Sequence, residues 1–416
     1  APRERYSLCR MQATEPSLTI RHRVTLPILL SMIFVDALGY GLILPLLPTL
    51  VQTGALRGFA VGGVASVYAL MQLLGMPLLG RISDRLGRRP VLLVSILGTA
   101  VAYFIIAFTR SVWVIYLAVA LDGLTAGSLT AAQSAIADRW TDHRRARYLG
   151  WLSAAFAAGI VGGPLFGGLL GTADARLAPL LAGCLAAANL LWGLFMLPET
   201  RVMTTRDQET VTEPGSRQGR DRRLLGFAVV AFSINFAFMM LPANLPVFAT
   251  DQLGWDSRGI GGLLATGAAV AGLTQVVVVG KLTRRLSTIR SLALALSIMS
   301  VALAIVPLVP RTPVASPALL LYPVIALFSF GTSLAIPLVG NAVAERAGRT
   351  RTGTAIGAMN SAIGASMFAS PLIAGAAYDA IGSWAPYALG AAVAAAAAAV
   401  VLTALPGKPT PSDLTA

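Results

Sequence analysis

The feature that leaves this chain the fewest options is a recurrence. Apolar runs of roughly 20 residues repeat along its length, separated by short gaps that hold most of the basic residues. A helix rises about 1.5 Å per residue, so such a run matches the roughly 30 Å hydrocarbon thickness of a bilayer. Only 12% of the 416 residues are charged and 56% are apolar. A soluble domain carries about 25% charged residues, so few side chains here are built to face water. The formal charge of +14 does not point to nucleic acid, because the Lys and Arg residues are spread through the gaps and not gathered on one soluble face.

The runs predict an all-α membrane protein with spans at 27–50, 60–80, 90–109, 112–137, 148–172, 178–198, 224–250, 258–280, 290–309, 315–343, 352–376 and 384–405. With both termini placed in the cytoplasm, 27 of the 32 Lys and Arg residues fall on the inside, and 5 (Arg57, Arg110, Arg176, Arg258 and Arg311) fall outside. This is the positive-inside asymmetry, and one span more or fewer would reverse every later loop and erase it. The expected organisation is a cytoplasmic tail (1–26), a six-helix bundle (27–198), a cytoplasmic linker (199–223), a second six-helix bundle (224–405) and a cytoplasmic C-terminal tail (406–416). The linker carries mixed charges around Pro214-Gly215-Ser216, a flexible composition. A weak repeat supports two halves: Gly80-Arg81-Ile82-Ser83-Asp84-Arg85 follows the second span, and Gly280-Lys281-Leu282-Thr283-Arg284-Arg285 follows the eighth.

Several chemistries are excluded. The two cysteines, Cys9 and Cys184, have no metal or disulfide spacing, and His22 and His143 lie in polar segments, so no metal or other cofactor is expected. No G-x-x-x-x-G-K-[ST] string occurs, so ATP is not the expected fuel, and no enzyme motif appears. Residues 1–26 lack the apolar core of a signal peptide; Met11 is the first methionine, which makes it a candidate natural start.

Four segments carry the mechanistic reading. The first is Gly80-Arg81-Ile82-Ser83-Asp84-Arg85-Leu86-Gly87-Arg88-Arg89, expected as the loop between spans two and three. Its glycines suit a tight turn, and Asp84 can pair with the arginines or with a helix N-terminus; Asp138, at the end of span four, is a candidate partner for Arg88. The second is Gly159-Ile160-Val161-Gly162-Gly163-Pro164-Leu165-Phe166-Gly167-Gly168 in span five, where the glycines permit close helix approach and Pro164 frees a backbone carbonyl. The third is Asp36-Ala37-Leu38-Gly39-Tyr40-Gly41 in span one. An Asp in a membrane helix costs at least about 2.5 kcal/mol on insertion scales, so its default reading is functional. Asp36 and Tyr40 share a helical face. The fourth is Asp122-Gly123 in span four. Asp36 and Asp122 are the only acids placed deep in the spans, and no Lys, Arg or His accompanies them. Asp122 reads either as a second proton site or as a hydrogen-bonding structural acid.

The first segment resembles the signature loop of the major facilitator superfamily, and the second resembles the antiporter motif of its twelve-span drug/proton exchangers. The segment around Asp36 is similar to the first span of the tetracycline/proton antiporters, and Asn235-Phe236-Ala237-Phe238 and Ala374-Gly375-Ala376-Ala377-Tyr378-Asp379 also resemble them. The resemblance runs from about Leu26 to Tyr387 and implies a major facilitator fold that exchanges protons for an amphipathic drug or secondary metabolite by alternating access. It implies a cytoplasmic latch formed by Gly80, Asp84, Arg85, Gly87, Arg88, Arg89 and Asp138. The second-half copy has Arg284 where the acid would fall, so the latch is expected to be one-sided. The proton-coupling candidates are Asp36 and Asp122; the antiporter motif is Gly159, Gly163, Pro164, Gly167 and Gly168. The cavity candidates are Tyr40, Tyr68, Gln72, Gln133, Asn235, Phe238, Met239, Gln275 and Asn360, whose aromatic and Met side chains suit an adaptable apolar site.

Two departures matter. The related antiporters carry an arginine four residues before the glycine of span four, and here that position is Val119. The second-half spans also lack the acid expected of a tetracycline exporter, which argues against tetracycline as substrate. The expected partners are a small molecule, protons and the bilayer of the plasma membrane, with no nucleic acid and a monomeric working unit. The alternative is a metabolite facilitator or proton symporter of the same superfamily, and a transporter-like sensor is a third class.

Overall fold

The computed structural model describes residues 20–51, 56–140, 142–198, 222–278, 287–312 and 317–404. Among the described residues, twelve helices are long and apolar enough to cross a membrane: α1 (Thr25–Leu50), α2 (Arg57–Leu86), α3 (Arg88–Phe108), α4 (Val112–Arg139), α5 (Arg144–Gly171), α6 (Leu177–Met196), α7 (Ala228–Leu253), α8 (Ser257–Val277), α9 (Thr288–Arg311), α10 (Leu321–Ala342), α11 (Ile356–Ala380) and α12 (Ala385–Thr403). No strand occurs among the described residues. The reason is elementary: in lipid the backbone must satisfy its own hydrogen bonds, and an apolar run does that as a helix. An even count returns the chain to its starting side. The turns α2–α3 and α4–α5 therefore lie on the face of the termini, here the terminal face; the turns α1–α2, α7–α8 and α11–α12 lie on the far face.

Two apolar clusters are built almost entirely from α1–α6, one around Leu42, Ile106 and Ile115 and one around Ile33, Leu92 and Ile136. A third is drawn from α7–α12, around Leu245, Leu292, Leu334 and Val401. From the second half, Val247 of α7 joins the first of these clusters and Tyr378 of α11 packs against it.

Several local outcomes differ from the sequence reading. The helix of the first span begins at Ile20, inside the expected tail, and passes into 3-10 geometry at Leu44–Leu46, where Pro45 removes a donor. The expected loop 81–89 shrinks to one residue. Helix α2 runs on to Leu86 and α3 starts at Arg88, with Gly87 between them at φ 104°, a backbone conformation that favours glycine. Gly80 is thus helical, and its open flank needs no glycine for a turn. Helix α4 is broken: Val112–Thr125 ends, Ser128–Arg139 restarts, and Ala126-Gly127 joins them at the depth of the acids. Between α10 and α11 the backbone stays helical, Leu321–Ala380 in all, although a short loop was expected at 344–351. Tyr322 packs on Trp255 and Gly375 packs on Gly58, both at the far face, so the chain reverses direction between them. Most of the expected linker, the motif copy at 280–285, and residues 1–19 and 405–416 lie outside the described residues.

Candidate functional site: a shared-hydroxyl acid pair

Helices α1, α3 and α4 converge on one polar cluster in the first half. Ser128 Oγ donates to Asp36 Oδ2 at 2.6 Å. Thr99 Oγ1 donates to Asp122 Oδ1 at 2.7 Å and is also a hydrogen-bond neighbour of Asp36. One threonine hydroxyl therefore lies between two carboxylates. A hydroxyl has a single proton to donate, so it can satisfy only one of them at a time. Asp122 is 8% exposed and Asp36 is half-buried.

Local sequence explains this convergence. Gly98 lets α3 approach α4 so closely that a Cβ there would strike the Thr125 side chain. The break at Ala126-Gly127 places Ser128 at the first position of a new half-helix, whose unpaired N–H groups carry partial positive charge. Broken helices whose ends face the working site recur in membrane transporters. Helices α1, α3 and α4 offer no Lys, Arg or His at this depth, and Val119 is packed in the apolar core. The positive end of the half-helix and two hydroxyls stand where a cation was expected.

Three tyrosines surround the pair. The Tyr40 and Tyr68 rings lie 5.6 Å apart, and Gln72 reaches Tyr68 with a long 3.5 Å contact. Both carboxylates act electrostatically on Tyr68 and Tyr103. Gly39 leaves room for the Tyr103 ring, whose nearest atom would sit within van der Waals distance of any added Cβ. Of the first-half cavity candidates, Tyr40, Tyr68 and Gln72 gather here, while Gln133 is exposed on the half-helix of α4. The second-half candidates do not form one group. Asn235 is buried and donates to Ala231 O of its own helix at 3.1 Å. Phe238 stacks on Phe328 at 6.3 Å, Met239 is half-buried, and Gln275 and Asn360 are exposed. Among the described residues, no hydrogen bond or ring contact joins them to the acid pair.

Thr99, Ser128 and Tyr103 were missed in the sequence. The available signal was a lone Thr beside Gly98 in an apolar span, and Gly127 followed by a serine in another.

The two motif segments are structurally distinct. In α5, an added Cβ at Gly159 or Gly163 would lie 2.6 Å from the Phe34 or Leu38 carbonyl, and at Gly167 it would strike that of Leu42. These glycines, four residues apart, face carbonyls four residues apart on α1. Gly168 faces the second half instead, where an added Cβ would lie 3.0 Å from Gly261 Cα of α8, and the Pro164 carbonyl abuts Gly261 as well. At the α2–α3 turn, Arg88 bonds Asp84 (2.6 Å), Asp138 (3.0 Å) and Ser83 Oγ (3.0 Å), and Arg89 donates to Leu194 O at 2.7 Å. Asp84 remains 70% exposed. The expected Arg88–Asp138 pair is present, and these bonds of Arg88 and Arg89 all stay within the first half.

Contacts between the halves concentrate at the far face. Gly58 and Gly62 of α2 meet Gly375 and Pro371 of α11, and Gly168 meets Gly261. Toward the terminal face, Gly80, Gly150, Gly272 and Gly357 of the same four helices have nothing within 4 Å of an added Cβ.

Residues 29–371 match the family model described as Major Facilitator Superfamily. The chain is 30% identical to the class G tetracycline resistance protein of Vibrio anguillarum, over 86% of this chain and 91% of that one. It is 29% identical to the class E tetracycline resistance protein of Escherichia coli, over 84% and 86%. It is also 29% identical to multidrug resistance protein 1 of Bacillus subtilis, over 64% and 68%. In fold it is similar to the human organic anion transporter MFSD10 (TM-score 0.64, 23% identity, 91% of this chain and 99% of that one). The nucleoside transporter NupG is another structural neighbour (TM-score 0.72, 14% identity, 92% and 100%).

Proposed function

The chain belongs to the major facilitator superfamily, and on that premise we propose that it is a proton-coupled exporter of an amphipathic small molecule, working by alternating access. It is a multi-pass membrane protein; in this reading it sits in the plasma membrane with both termini cytoplasmic and works as a monomer. The resistance proteins it resembles supply the class of cargo, a drug or secondary metabolite. Tetracycline itself is not the cargo proposed, because Asp251 and Asp379 lie in the last turns of α7 and α11, at the far face and away from the middle of either span.

The observation that carries the reading is the Asp36–Thr99–Asp122 cluster. Both carboxylates border the Thr99 side chain, so they are close neighbours. Two like charges in one site repel, by up to about 4 kcal/mol at an effective dielectric of 20. A proton on either acid removes that repulsion and supplies the missing donor. A pair of this kind stores and releases a proton. When it is neutral, enclosing it in a dry site costs less.

The cycle follows. With the far side open, the pair gains a proton and the halves 27–198 and 224–405 rock about the α1–α7, α2–α11 and α5–α8 seams. The proton leaves at the terminal side, the ionised pair favours cargo held against Tyr40 and Tyr68, and the loaded protein returns. The membrane potential adds about 2.3 kcal/mol per charge per 100 mV. The sealed far seam and the open flanks of Gly80, Gly150, Gly272 and Gly357 support reading this structure as the inward-open state.

Accumulation of a panel of fluorescent amphipathic dyes in cells expressing the protein tests the proposal. Lower dye content than in control cells, restored by a protonophore, is the expected result. Uptake driven by the proton gradient would instead favour a symporter.

A further inference from the structure

Helix α2 lacks an N-cap of its own. The residue at its cap position is Leu56, and no local side chain accepts from its first turn. The vacancy is filled from the other half of the molecule. Asp379, at the end of α11, accepts from Gly58 N at 3.0 Å with Oδ1 and from Phe59 N at 2.7 Å with Oδ2. Gly58 is flush against Gly375 O, at 3.1 Å from an added Cβ, which brings the two helix ends close enough for the carboxylate to reach both N–H groups. Beside this cap, Arg57 pairs with Asp251 of α7 at 2.9 Å and donates to Pro48 O of α1 at 2.8 Å, and the Tyr378 hydroxyl donates to Asp251 at 3.0 Å.

These bonds join α1 and α2 to α7 and α11 on the face where the halves touch. Separating the halves there would strip α2 of its cap and leave the Gly58 and Phe59 N–H groups without their carboxylate partner. An exposed ion pair such as Arg57–Asp251, about 30% accessible on each side, contributes little alone. A carboxylate on two first-turn N–H groups, aligned with the positive end of a 30-residue helix, contributes more.

We propose that Asp379 is a gating residue of the transport cycle: by capping α2 in trans it holds the far face closed, and its release is required for the outward opening. The inference rests on the alternating-access reading, but its test needs neither cargo nor a proton gradient.

The test uses single-cysteine reporters in the full chain with Cys9 and Cys184 replaced by Ser. Val247→Cys reports far-face opening, because Val247 is fully buried at the seam. Gly357→Cys reports terminal-face opening, because that position has open space around it. Labelling by a soluble maleimide is compared in detergent. Losing a cap costs about 0.5–2 kcal/mol, which converts to a population shift of about 2- to 30-fold. Asp379→Ala is expected to raise Val247→Cys labelling by that factor and to slow Gly357→Cys labelling. Asp379→Asn keeps one acceptor but loses the second and the charge, and is expected to fall between wild type and Asp379→Ala. Phe59→Pro removes one donor at a first-turn position that tolerates proline, and should resemble Asp379→Ala. Combined, the two should do no more than the stronger single change. Unchanged labelling in Asp379→Ala, or a rise at both reporters, would overturn the proposal. If Asp379→Ala does not fold, Phe59→Pro decides alone by the same two readings. Dye export lost while the labelling pattern holds would count against the transport reading and leave the gate standing.

Discussion

Replacing Gly163 with Ala, beside Gly162 with Ala, separates a packing surface from mere glycine content. The two residues are neighbours on α5, and each substitution gains the same helix propensity, about 0.8–1.0 kcal/mol. Their surroundings differ. A Cβ on Gly163 would lie 2.6 Å from Leu38 O and 2.7 Å from Gly41 Cα, both backbone atoms that cannot swing aside. A Cβ on Gly162 would meet only the Phe166 ring, at 3.7 Å, and the edge of Leu38, at 4.0 Å. Because the propensity gain cancels, the difference between the variants is the overpacking cost, about 1–3 kcal/mol. Gly162→Ala should be neutral or up to ~1 kcal/mol more stable, and Gly163→Ala should fall below it by that difference. An SDS titration of the purified proteins, followed by circular dichroism, reads both. Equal midpoints would refute the claim that the motif exists to seat α5 against the carbonyls of α1, as would Gly162→Ala being the weaker protein.

Other outcomes follow from the same contacts. Thr99→Val removes the hydroxyl that Asp122 accepts from; leaving a buried acceptor unsatisfied costs about 1–3 kcal/mol, so the SDS midpoint should fall accordingly and dye export should drop, while Thr99→Ser retains most of both. Arg88→Ala should lower stability by about 1 kcal/mol in the same titration, a modest figure because Asp84 is largely exposed; Arg88→Lys should recover only part of it, since an ammonium lacks the fork that reaches Asp84, Asp138 and Ser83 together. Gly87→Ala should cost about 1 kcal/mol or more, because φ 104° at the α2–α3 turn is strained for any residue with a Cβ.

The span count, the two deep acids and the Arg88–Asp138 pair were all legible in the sequence, for a physical reason. Bilayer thickness imposes a run length, and a charge inside such a run stands out. What stayed hidden depends on packing between helices. That Thr99 faces Asp122 follows from how Gly98 seats α3 on α4, and a threonine in an apolar run looks the same whether it bonds its own helix or a neighbouring one. The break in α4 needed both Gly127 and a demand for Ser128 at Asp36, and only the second is tertiary. The cross-half role of Asp379 was out of reach because Leu56, a poor cap, has meaning only when the end of α11 is beside it. The expected loop at 81–89 was misjudged because charge density suggests solvent, whereas α2 carries its charged residues as nearly two extra turns beyond the apolar run.

The most direct test of proton coupling uses inside-out vesicles with an acid interior, read with a pH-quenched dye, as each amphipathic compound is added. The account predicts that a transported compound triggers proton release in the wild type and that Asp36→Asn abolishes the release. Release of equal size in Asp36→Asn would contradict it.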